Sequence, residues 1–148
     1  MTYQLQKSSG ELTRIGTAAY AGKNVRVSLA NAAGTSYTVE STKAQWDTVK
    51  CSGNGYVDFT GTVGAGAYDA TTGQYFLGPD ATAGTSIPVI FGPFTSSGIS
   101  FDTIVVVIAN GTSEYSSVMI VSMGTPTLIP PGQTMSFPLL FGIKGVSI

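Results

Sequence analysis

This 148-residue chain has only 10% Asp, Glu, Lys and Arg and no histidine, against about 25% charged residues in an average soluble domain. The missing histidine excludes Ser-His-Asp, Cys-His and HExxH chemistry, and a lone cysteine, Cys51, excludes an intramolecular disulfide and a Cys/His zinc site. A net charge of −1, with no cluster among the seven Lys and Arg, removes the electrostatic footprint of a nucleic-acid binder.

The length fits one domain, residues 1–148, able to bury roughly 68–70% of the surface its unfolded chain exposes. Such a core needs neither disulfide nor metal. Residues 1–20 are polar and read as an N-terminal arm; MTYQLQKSSGELTR lacks the apolar stretch of a secretory signal. The single cysteine fits a reducing compartment.

In chain order, Asn24 to Ala30 alternates, with Val25, Val27 and Leu29 on one face, the pattern of a half-buried strand. Ser41 to Lys50 is the one helix candidate, placed near residues 42–50 with Ser41 or Thr42 as N-cap. Gly53-Asn54-Gly55 and Gly64-Ala65-Gly66 read as turns. As phosphate loops they lack the following helix and lysine. Gly61 to Gly98 is rich in Gly, Thr, Ala and Pro, and short strands are expected at Gln74–Leu77 and Pro88–Phe91.

Phe101 to Asn110 carries apolar residues on both faces and predicts a central strand covered on both sides. Its run Ile104 to Ala109 is the longest strongly apolar stretch, far short of the roughly 20 residues a membrane-spanning helix needs. Asn110-Gly111 marks a hairpin with a loop longer than two residues, leading into a strand from Ser117 to Met123. Asn110-Gly111-Thr112 also matches a glycosylation sequon, but without a secretory signal the turn reading stands. Pro130-Pro131-Gly132 is a turn. Met135, Phe137, Leu139 and Phe141 then alternate, with Pro138 requiring an edge or a bulge. A last strand follows from Ile143 to Ile148. The sum is an all-β fold, a β-sandwich or jelly roll of about 7–9 short strands with one short helix.

Catalytic candidates are sparse. The eight carboxylates stand singly along the chain, and nothing selects a glycosidase pair. Asp69 to Gly73 resembles half of a calcium loop without its further ligands, and reads as a turn. Cys51 reads as a small buried residue and Trp46 as a core plug where helix meets sheet. Loop tyrosines such as Tyr68, Tyr75 and Tyr115 suit either a carbohydrate platform or an interface. We take Tyr3, Tyr20, Tyr68, Tyr75, Phe76 and Phe94 as interface candidates. No catalytic, cofactor or metal residue is assigned.

A β-branched strand, a short Trp-containing helix and CSGNGYVDF are followed by SIPVIFGPF, FDTIVVVIANG and PPGQTMSFPLLFGI. From about Lys23 onward this pattern resembles small β-rich virion proteins of tailed bacteriophages. The resemblance implies a non-enzymatic, multi-copy role as a capsid decoration (cement) protein, or as a tail, neck or fibre component. It implies a place in the virion, other virion proteins as partners (the major capsid protein first) and self-association as a trimer or dimer. No cofactor, nucleic acid or membrane is expected. A carbohydrate-binding module is the alternative from a different class.

Overall fold

A computed structural model describes residues 22–38, 40–63, 67–71, 74–77, 88–110, 114–139 and 141–144. Among them are β1 (Asn24–Ala30), α1 (Lys43–Val49), β2 (Phe59–Thr62), β3 (Ala67–Asp69), β4 (Gln74–Leu77) and β5 (Pro88–Phe91). β6 (Ile99–Asn110), β7 (Glu114–Ile129), β8 (Met135–Pro138) and β9 (Phe141–Lys144) complete the set. The fold is all-β with one short helix, as the alternating patterns predict.

The strands form three sheets, ordered β2-β1-β6-β7, β3-β4-β9 and β5-β8. Where one domain is expected, contacts cluster in two units interleaved along the chain. One comprises Asn24–Thr60 and Val89–Phe137, the other Met1–Lys23, Gly61–Pro88 and Pro138–Ile148. In the second unit, antiparallel β4 lies between β3 and β9, with Tyr75 opposite Tyr68 on one side and Ile143 on the other.

In the first unit, β6 is the central strand its two apolar faces require. It pairs antiparallel with β1, from Val25 opposite Ile108 to Ala30 opposite Thr103. Phe101 to Ile108 are all buried. β7 pairs antiparallel with β6, with Glu114 opposite Asn110, as expected of the hairpin signalled by Asn110-Gly111. β7 is much longer than the expected Ser117–Met123, running on to Ile129.

The helix starts where a capping residue permits it. Thr42 accepts from the Gln45 N–H while the Gln45 side chain accepts from the Thr42 N–H, a reciprocal capping box. Seven residues of isolated helix are unstable in water, so tertiary packing must hold α1. Trp46 supplies it: only 2% exposed, it packs with Ala30, Val105 and Val107, ringed by Ala32, Tyr37, Val49 and Ile120. The Tyr37 ring meets it edge-on at 5.4 Å. The core-plug reading of Trp46 is therefore correct, and so is the burial of Cys51.

Three expectations change. β1 is not half-buried: Arg26 and Ser28, on its polar face, are buried as well. The C-terminal alternation does not make one strand. β8 ends at Pro138, which cannot donate to a ladder, and β9 joins another sheet. The last described strand is Phe141–Lys144, and residues 145–148 lie outside the described residues.

Candidate functional site

Two features stand out in the larger unit: a charged pocket beside β1 and a neutral strand edge at β7. The pocket begins with Arg26, whose place at the middle of an alternating strand turns it to the same side as Ser28 and Ala30. Arg26 Nη1 lies 3.0 Å from Asp47 Oδ1 on α1 and 3.7 Å from Asp58 Oδ2. Lys50 Nζ lies 3.1 Å from Asp58 Oδ2 and 3.8 Å from Asp47 Oδ1, and Lys43 pairs with Asp47 one helical turn away. Five of the chain's few charges thus share one network that ties α1 and the following loop to the sheet. Their separation in sequence hid this, because only folding brings positions 26, 47 and 58 together.

The loop has the geometry its glycines permit: Gly53, Asn54 and Gly55 all have positive φ. It carries Tyr56 back to the sheet, where the Tyr56 hydroxyl donates to Asp58 Oδ1 and accepts from the Leu29 N–H, each at 2.7 Å. Burial first, then the bond to Asp58, pushes this phenol far above its ordinary range. The Cys51 thiol is pushed up to about 11 by burial and then by the charges of Asp102 and Asp58. For Asp47, burial alone raises the carboxyl, but the Lys43 hydrogen bond and the Arg26 charge outweigh it and hold it below its ordinary value.

A pocket of about 460 Å³ opens here, walled by Arg26, Lys50, Cys51, Tyr56, Asp58 and Thr60. Its thiol and phenol stay protonated at neutral pH, and neither is a nucleophile in that form. Asp58, on the pocket wall, and Asp47 beside it are both held in ion pairs. The ion pairs and the Tyr56 hydrogen bonds tie α1 and the loop to β1.

A third carboxylate fixes the loop after β1. Asp102, only 6% exposed, accepts from the N–H groups of Ala32 and Ala33 at 2.8 and 3.1 Å and from the Thr103 hydroxyl at 2.7 Å. Burial alone raises this carboxyl; the three hydrogen bonds prevail and hold it low. Opposite Asp102, β7 leaves the ladder: Phe101 faces Thr127 and Thr103 faces Ser122, so Met123 to Pro126 stand against one residue. Gly124, at φ 75°, turns this bulge, and Pro126 has no N–H to offer.

β7 is the edge of its sheet, paired only with β6 among the described residues. From Tyr115 to Ile143 the sequence holds no charged residue. Val121, Met123 and Leu128 on this strand are 39, 42 and 58% exposed. Edge strands are commonly protected by charge, proline or bulges; among the described residues β7 has Glu114 at its start, the bulges and Pro126.

The interface candidates are placed unevenly. Tyr3 and Tyr20 lie outside the described residues. Tyr68 is on β3, with Tyr75 and Phe76 on β4; Tyr68 stands opposite Tyr75 and Phe76 opposite Ala67. Phe94 is a correction: it is 2% exposed, stacked on Tyr56 at 6.4 Å beside the Tyr56–Phe91 pair. Its setting in the loop after SIPVIF suggested exposure, but the chain folds that loop inward, and the Phe94 carbonyl accepts from Gly132 N–H at 2.8 Å. The exposed β7 side chains are not among the aromatic candidates; the near absence of charge from Thr103 to Ile148, which predicts a sheet edge covered by neighbouring protein, is the sequence signal that marks them.

Among the described residues, no group of three or more His, Cys, Asp or Glu is placed to hold a metal ion, and no helix is long and apolar enough to cross a membrane. Comparison of the chain with known protein families, curated proteins and solved structures finds no match.

Proposed function

We propose that this chain is a non-enzymatic structural protein that works by protein–protein contact, and that its place is the virion of a tailed bacteriophage, as a decoration protein reinforcing the assembled shell. The observation that carries the structural role is β7: a sheet edge without charge from Tyr115 onward, exposing Val121, Met123 and Leu128. Such a surface gains by contact with protein and offers little to a charged ligand. The pocket supports the same reading, because its ion pairs and the Tyr56 hydrogen bonds hold α1 and the loop in place. The virion setting rests on the sequence pattern from Lys23 onward. In that setting, many weak contacts become strong through multivalency on a repeating lattice. A tail, neck or fibre position is the second reading within the class, favoured by the Gly/Thr-rich middle of the chain.

Particles assembled with and without this chain test the proposal. Loss of the chain should lower the temperature at which particles release their genome, and adding back purified protein should restore it. Loss of host attachment with unchanged shell stability places the protein in the tail. Particles unchanged in both respects refute the virion role.

A further inference from the structure

We propose that β7 is a homotypic docking edge: its Glu114–Ser122 half pairs antiparallel with the same half of a second copy across a twofold axis, continuing the β2-β1-β6-β7 sheet through two chains. This rests on the reading of the chain as a multi-copy structural protein and names the first contact it makes. The chemistry of the edge specifies the occupant. A strand paired on one side presents unpaired N–H and C=O groups on the other, and only another extended backbone satisfies them in series. The bulge at Met123–Pro126 breaks the ladder, so the usable run is the part before it. Within that run the register shifts once, between Ser117 and Met119, which adds local twist without ending the strand.

A second copy is the partner that neutrality favours. A twofold contact sets each patch against itself, so a charged strand meets its own charge. This run has one charge, Glu114, at its end. Antiparallel pairing centred on the run puts the two Glu114 residues at opposite ends, about 27 Å apart at roughly 3.4 Å per residue; parallel pairing sets them side by side. Apart from Glu114 at its end, the edge has no charge with which to select a different partner. Val121, 39% exposed, adds apolar surface that pairing covers.

Sedimentation velocity on the full chain, from low micromolar to sub-millimolar concentration, tests this. The unmodified protein should show a monomer–dimer equilibrium. Val121→Lys sits on the run at an exposed position, so it should fold, and it should weaken the dimer roughly tenfold or more by placing a cation in the paired edge. Val57→Lys, at a site 75% exposed on the pocket loop, should leave the dimer unchanged. Circular dichroism melts confirm that both variants fold. Amide exchange in residues 114–122 should slow as the concentration rises. A monomer at every concentration, equal behaviour of the two variants, or exchange independent of concentration overturns the proposal. A β7 dimer of a chain absent from particles refutes the virion reading alone, and a monomeric chain bound to particles refutes the β7 edge alone.

Discussion

Asp102 is the sharpest single test of how the loop after β1 is held. Replacing it with Ala removes three hydrogen bonds to an ionised, buried acceptor, from Ala32 N–H, Ala33 N–H and Thr103 Oγ1. Bonds to charged groups contribute about 1.5–3 kcal/mol each, but Ala33 is exposed and water replaces its partner. The expected loss is therefore roughly 3–6 kcal/mol, the cost of the two shielded bonds, or about 6–24 °C in Tm for a chain of this size. Asp102→Asn keeps the shape and one carbonyl oxygen, so it should cost less. The pH dependence has a definite sign. The folded pKa lies below the ordinary value of 3.8, so the carboxylate contributes its full stability above that value and loses it as pH falls through the lower folded pKa. The gap in stability between the unmodified chain and Asp102→Asn should be constant from pH 7 to about 5 and shrink below about 4. Denaturant melts across that range make the measurement. A gap that widens toward acid, or an Asp102→Ala loss below about 0.5 kcal/mol, the size of an ordinary surface change, refutes the assignment of Asp102 as the staple of this loop.

Other substitutions separate backbone strain from packing. Gly98 and Gly124 have nearly the same φ, 72° and 75°, but a Cβ on Gly98 meets the Ile129 carbonyl oxygen at 2.2 Å while one on Gly124 meets nothing within 4 Å. Gly124→Ala should cost about 1 kcal/mol from conformation alone, and Gly98→Ala roughly 2–5 kcal/mol in urea melts, because a backbone carbonyl must also move. Trp46→Ala should cost about 3–5 kcal/mol by the same measurement, since it empties the cluster that holds α1 to the sheet. Cys51, with its thiol pushed up to about 11, should resist alkylation at pH 7 in the folded chain and react readily once urea unfolds it; fast reaction in native buffer contradicts its burial.

Local pattern makes the strands legible where the apolar positions themselves decide them. Val25, Val27 and Leu29 mark β1, the doubly apolar Ile104 to Ile108 marks a central strand, and Ser41 or Thr42 marks the start of the helix. What the pattern could not give was partnership at a distance. Arg26 and Ser28 alternate like exposed residues, yet α1 and the Tyr56 loop cover that side, so polarity on the second face misreported burial. Asp47 and Asp58 stand singly in sequence and share Arg26 only after folding. Pro138 is incompatible with a continuous ladder, but whether the chain bulges or changes sheets depends on contacts far from it. Phe94 was misplaced for a related reason: a Gly/Pro-rich loop predicts a turn without saying which way its aromatic residue faces.

The number of copies of this chain per particle, measured against the major capsid protein by quantitative mass spectrometry of purified virions, tests the proposed role most directly. A capsid decoration protein should approach the copy number of the shell protein it covers. Absence from the particle, or a copy number far below that of the major capsid protein, contradicts it.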